Sequence, residues 1–118
     1  METILITDDD DACRDTIRRT LEREGYHVES AAGVNDALDA IHRTRFDLII
    51  CDYWMAGKTG FDLLAALQGQ RPQIPVLMVS ASADPILDAA AVQLGAAGLL
   101  RKPFRRIDLV TWIARALA

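Results

Sequence analysis

The sequence contains few cysteines and no long apolar run, and both absences narrow the class of protein. Its two cysteines, Cys13 and Cys51, are far apart and form neither a CxxC nor a CxxH spacing, so we expect two buried free thiols rather than a disulfide or a metal site. Charged residues interrupt every apolar stretch before it reaches the roughly 20 residues of a membrane-spanning helix. The N-terminus, METILITDDD, lacks the basic segment before an apolar one that marks a signal peptide. These absences favour a cytoplasmic protein without membrane insertion.

The composition is typical of one globular domain. Of the 118 residues 51% are hydrophobic, which allows a substantial core and argues against a disordered chain. The net charge of −4 argues against direct binding of nucleic acid, although Arg101, Lys102, Arg105 and Arg106 form a local basic cluster. Since we find no internal repeat, low-complexity tract or linker, we expect a single domain over residues 1–118.

Apolar strands alternate with amphipathic helices along the whole chain. The strands are rich in β-branched and apolar residues, and the helices carry apolar residues at spacings of three and four. We predict strands over 2–8, 26–31, 47–52, 75–81 and 98–101, and helices over 13–24, 34–41, 61–67, 85–94 and 107–117. This alternation predicts an α/β fold, in which a single doubly wound, five-stranded parallel sheet is covered by helices on both faces.

Polar residues near helix starts and apolar stripes along helices predict where each helix begins and which face it buries. Asp10 and Asp11 are typical capping residues for the first helix, and we read them as caps rather than as members of a site. Asn35 and Asp36 are cap-like residues for the second helix. The last helix is expected to bury a stripe formed by Ile107, Val110, Ile113 and Leu117.

Charged and polar residues stand where the predicted strands end. Asp8 and Asp9 end the first strand, Asp52 the third and Ser80 the fourth, and Lys102 follows the fifth. Because the carboxyl ends of parallel strands meet at one crevice, we expect these side chains to converge. Clustered carboxylates without histidine or cysteine favour a hard cation such as Mg²⁺, and a lysine opposite them suits a phosphoryl oxygen. The set indicates phosphoryl transfer, with Asp52 as the candidate nucleophile.

These residues resemble the receiver domain of bacterial two-component response regulators, and the resemblance covers essentially the whole chain. The matching motifs are the acidic pair after ILIT, Asp52 in DYWMAGKTG, Ser80–Ala81 in VLMVSAS and Lys102–Pro103 in LLRKPF. The resemblance implies a flavodoxin-like (βα)5 fold with strand order 2-1-3-4-5.

The resemblance also implies a role for each matching position. Asp52 would accept a phosphoryl group from a phosphohistidine of a sensor histidine kinase or a histidine phosphotransfer protein. Mg²⁺ would be bound by Asp8, Asp9, Asp52 and the backbone carbonyl of Trp54. Lys102, Ser80 and the backbone N–H of Ala81 would contact the phosphoryl oxygens, with Lys102–Pro103 as a cis peptide bond. The protein would then be a phosphoacceptor switch rather than an enzyme acting on a separate substrate.

Two positions depart from the family pattern. Ala56 stands where the family commonly has proline, so we expect a looser loop after Asp52. Leu99 stands where the family usually has an aromatic switch residue, so we expect Leu99 either to repack in its place or to transmit a different or reduced output. Trp54 lies two positions after Asp52, beside the route of an attacking water, and we expect its side chain to slow hydrolysis of the acyl phosphate.

Three functions agree with these residues. The first is a stand-alone receiver that signals to a downstream protein target, and the last helices would allow it to form a homodimer. The second is a degenerate receiver that acts only as a docking module. The third is a phosphohydrolase with an aspartyl-phosphate intermediate. It is the weakest of the three, because the first strand ends in an acid cluster, the residue two positions after Asp52 is Trp54 rather than a second, acid/base Asp, and a substrate-capping insertion is lacking. The intact acid, hydroxyl and lysine set favours the receiver.

Overall fold

The computed structural model describes residues 2–55, 58–69, 73–81 and 84–118, with the backbone alone for Trp54, Met55 and Lys58. Strands and helices alternate along these residues, as the apolar patterns predict. The elements in chain order are β1 (Thr3–Thr7), α1 (Asp11–Arg23), β2 (His27–Ala31), α2 (Val34–Arg43), β3 (Leu48–Asp52), β4 (Trp54–Met55), β5 (Lys58–Thr59), α3 (Gly60–Leu67), β6 (Val76–Ser80), α4 (Pro85–Gln93), β7 (Gly98–Arg101) and α5 (Arg106–Ala116).

The five longer strands form one parallel sheet in the order β2-β1-β3-β6-β7. Counted without the two-residue strands, this is the order 2-1-3-4-5, so the predicted fold class is confirmed. Strands β4 and β5 form a separate antiparallel pair just after β3, which the sequence patterns do not predict. Two-residue strands carry too little periodicity to be recognised from sequence.

The core lies on both faces of the sheet, because successive side chains of a strand point to opposite sides. On one face Leu5, Ile49 and Met78 pack with α2 and α3, and on the other Ile4, Ile6 and Ile50 pack with α1 and α5. This two-sided burial explains why the strands read as continuous apolar runs rather than as an alternation of apolar and polar residues.

The helix boundaries confirm one predicted cap and correct another. Asp10 is the N-cap of α1, where its carboxylate accepts hydrogen bonds from the backbone N–H groups of Ala12 and Cys13 at 3.0 and 3.3 Å. The prediction that Asn35 and Asp36 cap α2 is wrong, because that helix begins at Val34 and its N-cap is Gly33. Val34 is buried in the core and begins the helix, as the predicted range has it, so Asn35 and Asp36 lie within the first turn rather than before it.

The predicted apolar stripe of α5 is also wrong in part. Ile113 is buried as expected, but Ile107 is 58% exposed and Leu109 takes a core position instead. Leu109 and Ile113 are buried, four residues apart, and Ala116 and the predicted Leu117 pack against the same core as partly buried residues. Both stripes satisfy helical periodicity, so only the direction in which α5 docks on the sheet distinguishes them. Among the described residues, no helix has the length and apolar character that a bilayer crossing requires.

Candidate functional site

The acidic side chains converge at the carboxyl ends of β1 and β3. These strands are neighbours in the sheet, and Thr7 pairs with Cys51, so the residues that follow each of them lie side by side. One carboxylate oxygen each of Asp8, Asp9 and Asp52 lies within 4.8 Å of the other two. Asp8 is 2% exposed, whereas Asp9 faces solvent. The structure thus brings together the three acids that were predicted to bind a metal ion.

Lys102 reaches the same cluster from the far side of the crevice. Its backbone N–H donates to the carbonyl of Ser80 at 2.8 Å, which places the residue at the end of the β6–β7 ladder. From there its Nζ lies 3.3 Å from Oδ2 of Asp8 and 3.3 Å from Oδ2 of Asp52. The Lys102–Pro103 peptide bond is cis, as the resemblance implies. One ammonium group therefore bridges a buried acid and the acid at the tip of β3.

The electrostatics of this cluster follow from burial and from charge pairing. Burial raises the pKa of Asp52 above its ordinary value, and the charge of Asp8 adds to this, although Lys102 works in the opposite direction. Burial alone would lower the pKa of Lys102, but the charges of Asp52 and Asp8 outweigh it and raise that pKa, which keeps the amine protonated. Three carboxylates and one ammonium leave an excess of negative charge, and a divalent cation suits such a site.

The loop between β1 and α1 is held by hydrogen bonds of its own. The Asp8 carboxylate accepts the backbone N–H of Asp10 at 2.9 Å, and the backbone N–H of Asp8 donates to the carbonyl of Ala31 at 3.1 Å. Asp10 in turn caps α1. The prediction that Asp10 acts as a cap is therefore confirmed.

Two residues of α1 belong to the surroundings of the site although the sequence reasoning missed their roles. Burial raises the pKa of the Cys13 thiol, and the nearby Asp8 carboxylate raises it further. The guanidinium of Arg14 donates from Nη1 to the backbone carbonyl of Asp8 at 2.6 Å. Cys13 and Arg14 are three and four residues after Asp10, the N-cap of α1, so they lie in the first turn of a helix that starts at an acidic strand end. This spacing is the signal that would have found them.

The cysteines are free thiols, as predicted, but they differ in burial. Cys51 is fully buried, and its thiol lies 3.3 Å from the carbonyl oxygen of Asp52 as a donor. Cys13 is only partly buried, because it lies at the mouth of the crevice. Neither thiol is part of the oxygen cluster that could bind a hard cation.

The residues predicted to act in switching lie at the end of β6 and in β7. Ser80 ends β6, and its side chain lines a narrow cleft together with Tyr53, Leu87 and Leu99. Ala81 follows as an exposed bend. The ring of Tyr53 packs edge-on against Phe61, with 4.7 Å between the ring centroids. Aromatic side chains near Ser80 therefore come from the β3 side of this cleft, and Leu99 covers the β7 side.

The structure describes the backbone of Trp54 but not its side chain. The residue begins β4, directly after the turn that follows Asp52. Its side chain, and with it the expected shielding of an acyl phosphate, lies outside the residues that the structure describes in full. The role of its backbone carbonyl as a metal ligand stays a prediction. The looser loop expected at Ala56 also lies outside the described residues.

The fold and site define a doubly wound α/β protein with an acidic crevice and a bridging lysine at the carboxyl edge of its sheet. The family model of the response regulator receiver domain matches residues 4–114. The chain belongs to this family, whose members act as phosphoacceptor switches in two-component signalling, bind Mg²⁺ at an acidic pocket and interact with histidine kinases or phosphotransfer proteins.

Solved structures and curated relatives agree with this assignment. The chemotaxis protein CheY4 of Vibrio cholerae is 35% identical, with a TM-score of 0.93 and 99% of both chains covered. A CheY-like receiver domain protein of Methanospirillum hungatei is 32% identical with a TM-score of 0.93, covering 99% of this chain and 94% of that one. The transcriptional regulator NtrC of Rhizobium meliloti is 36% identical over 116 residues, which make up 98% of this chain but 24% of the relative. The chain thus spans about a quarter of that regulator's length.

Proposed function

We propose that residues 1–118 act as one receiver unit in which Asp52 accepts a phosphoryl group from a phosphohistidine of a sensor histidine kinase or a histidine phosphotransfer protein. The observation that carries this proposal is the bridging position of Lys102, whose Nζ lies 3.3 Å from both Asp8 and Asp52. An ammonium group held between Asp8 and the carboxylate of Asp52 is placed to neutralise phosphoryl oxygens as they approach.

In the transfer, the P–N bond of the donor phosphohistidine breaks and a P–O bond forms to a carboxylate oxygen of Asp52. The imidazole leaves with the electron pair of the broken bond. Asp52 suits the acceptor role because its side chain is 14% exposed, so an incoming phosphoryl group can reach it. Hydrolysis by water later releases inorganic phosphate and restores the carboxylate. Covalent catalysis of this kind needs no further substrate, so the protein is a switch rather than an enzyme.

The acidic residues fit a bound Mg²⁺, which would supply positive charge to the phosphoryl oxygens. Asp8, Asp9 and Asp52 offer oxygens within 4.8 Å of one another, and oxygen ligands of this kind suit a hard divalent cation. The Trp54 carbonyl is proposed as a further ligand from the resemblance. Lys102 remains charged beside these acids, because Asp52 and Asp8 raise its pKa.

Signal output is proposed to pass from Ser80 to the face formed by α4, β7 and α5 and from there to a downstream protein target. Ser80 and Leu99 line the same cleft, which is the observation that links the acceptor edge to β7. Ser80 and the N–H of Ala81 are proposed to contact phosphoryl oxygens, and Leu99 to repack without an aromatic ring. A homodimer through this face, and the stand-alone arrangement, stay predictions, since the relatives include both a chain of equal length and longer regulators.

The test is intact-protein mass spectrometry after incubation with acetyl phosphate and Mg²⁺. The parent protein should gain one phosphoryl group, which EDTA and the Asp52→Asn substitution both abolish. Asp47→Asn is the matched control, because Asp47 precedes the same strand at its opposite end, where its carboxylate accepts the backbone N–H of Thr3 at 2.8 Å. This control should be phosphorylated like the parent.

Other results would contradict the proposal in recognisable ways. If neither acetyl phosphate nor a phosphorylated histidine phosphotransfer protein modifies the parent, a docking module replaces the switch. Modification that persists in Asp52→Asn would place the acceptor elsewhere. Continuous turnover of small phosphomonoesters would instead identify a phosphohydrolase.

A further inference from the structure

Arg14 lies in the first turns of α1 and extends back over the loop that carries the metal-binding acids. Its Nη1 donates to the backbone carbonyl of Asp8 at 2.6 Å, which is a short hydrogen bond from a charged donor. The side chain is only 19% exposed. A side chain that is largely buried while its guanidinium binds a loop carbonyl indicates that the position of this carbonyl matters.

The carbonyl in question belongs to the peptide unit that joins Asp8 to Asp9. Peptide groups are planar, so a hydrogen bond that fixes the direction of this C=O also fixes the N–H of Asp9 and the direction in which the chain enters Asp9. The Asp8 carboxylate has separate anchors in the N–H of Asp10 and in Lys102. The Asp9 carboxylate accepts no hydrogen bond from any of the residues that the structure describes. Its direction therefore depends on the backbone that Arg14 holds.

Arg14 is itself oriented by a second contact. Its Nη2 pairs with the carboxylate of Asp11, so the two ends of the guanidinium bind different partners at the start of α1. The planar fork of an arginine can make two such contacts at once in a fixed geometry, whereas the ammonium of a lysine is a single flexible point. The pairing with Asp11 also offsets the positive charge that Arg14 brings near a cation site.

We propose that Arg14 is a positioning residue for Mg²⁺: it holds the Asp8–Asp9 peptide so that the Asp9 carboxylate points into the crevice with Asp8 and Asp52. The inference rests on the proposed function of this site as a receiver. Residues that orient metal ligands typically contribute about 10- to 100-fold to metal affinity. The charge of Arg14 acts in the opposite direction, because removing a cation near the site would by itself strengthen the binding of Mg²⁺.

Loss of orientation would weaken the binding of Mg²⁺ in an Arg14 variant, whereas loss of the positive charge would strengthen it, so the direction of the change in Kd distinguishes the two effects. The experiment is calorimetric titration with Mg²⁺ of the unphosphorylated parent, of Arg14→Met and Arg14→Lys, and of Arg18→Met as a matched control. Arg18 lies one turn further along α1, where it pairs with Asp15, so its replacement removes the same charge without touching the loop. We expect the Kd for Mg²⁺ to rise about tenfold or more in Arg14→Met, to be partly restored in Arg14→Lys, and to change less than about twofold in Arg18→Met.

A second measurement separates positioning from a general loss of structure. The rate of phosphorylation by acetyl phosphate is followed against Mg²⁺ concentration, with the unfolding midpoint of each variant measured in parallel. Arg14→Met should need about tenfold more Mg²⁺ for half its maximal rate and should reach nearly the parent rate at saturation. A lower maximal rate with an unchanged Mg²⁺ requirement would overturn the proposal.

The calorimetric result stands apart from the receiver chemistry. If Arg14→Met binds Mg²⁺ as tightly as the parent or more tightly, the positioning role is wrong whether or not Asp52 is phosphorylated. If Arg14→Met and the control Arg18→Met weaken the binding of Mg²⁺ equally, the effect is not specific to the loop and the positioning role is also wrong. If the parent binds Mg²⁺, and Arg14→Met alone weakens it, but no protein is phosphorylated, the positioning role holds and the proposed function fails.

Discussion

The Asp52→Asn substitution is expected to stabilise the protein when Mg²⁺ is absent, although it removes the proposed acceptor. In the parent, Asp52 is a partly buried carboxylate close to two others, and burial raises its pKa. An asparagine keeps the shape of the side chain and removes the charge. Functional sites commonly hold such unfavourable groups at the expense of stability.

The magnitude follows from the distances in the site. Charges 4.8 Å apart repel by about 3 kcal/mol at an effective dielectric constant of about 20, so Asp8 and the more exposed Asp9 together destabilise ionised Asp52 by several kcal/mol. The attraction between Lys102 and Asp52 at 3.3 Å stabilises the ionised carboxylate by about 5 kcal/mol at the same dielectric constant. With the cost of burying the carboxylate included, we expect Asp52→Asn to be more stable by about 1–2 kcal/mol. Lys102 retains Asp8 as its partner in the variant.

The assay is urea unfolding followed by circular dichroism at neutral pH, first with EDTA and then with saturating Mg²⁺. The variant should have the larger free energy of unfolding in EDTA. The difference should narrow or reverse with Mg²⁺, because only the parent offers this ion all three carboxylates, so binding stabilises the folded parent more than the folded variant. A variant that is less stable than the parent in EDTA would refute the reasoning, since the attraction of Lys102 would then outweigh repulsion and burial.

The same prediction has a pH dependence of fixed sign. Because the pKa of Asp52 is raised in the folded state, protonation of this group favours folding, and its contribution to stability is lost as the pH rises through the folded-state pKa. The advantage of Asp52→Asn should therefore be absent below about pH 4, where both side chains are neutral, and should open as the pH rises. An advantage that stays constant across this range would show that Asp52 does not titrate as described.

Three further substitutions test packing around the sheet. Gly60→Ala should destabilise the protein by about 1–3 kcal/mol, because a Cβ there would lie 2.8 Å from the carbonyl oxygen of Asp52; urea unfolding measures this. Thr7→Val should stabilise by about 1 kcal/mol in the same assay, since the Thr7 hydroxyl is fully buried and finds no hydrogen-bond partner among the described residues. Gly98→Ala should displace the ring of Trp112, which a Cβ would approach to 1.7 Å, and should change the near-ultraviolet circular dichroism.

Each of these has an outcome that would contradict it. Gly33→Ala is the control for both glycine variants, because a Cβ at that position meets nothing within 4 Å and its φ of −167° suits any residue. A Gly60→Ala protein as stable as Gly33→Ala would show that the backbone at Asp52 can shift at little cost in free energy. A Thr7→Val protein less stable than the parent would indicate that the Thr7 hydroxyl has a hydrogen-bond partner in solution. Gly98→Ala with an unchanged spectrum would place Trp112 elsewhere.

The strands, the helices and the acids of the site could be predicted because their signals are local. An apolar run that ends in a carboxylate, as at Asp8 and at Asp52, defines both a buried strand and the end of that strand. Parallel strands with right-handed crossovers then place those ends at one edge, so the grouping of Asp8, Asp9, Asp52 and Lys102 follows from the order of the elements along the chain. The cap at Asp10 is equally local, because it depends on the backbone N–H groups of Ala12 and Cys13, two and three residues further along the chain.

Tertiary structure alone decided the remaining features. Ile107 and Leu109 are equally apolar in the sequence, and the docking of α5 on the sheet buries Leu109 and leaves Ile107 exposed. The bond from Arg14 to the Asp8 carbonyl, and the tight fit at Gly60, depend on how α1 and α3 approach the strand ends. Sequence periodicity reports which residues share a face of one element, whereas a contact between elements depends on their distance and rotation, which periodicity does not carry.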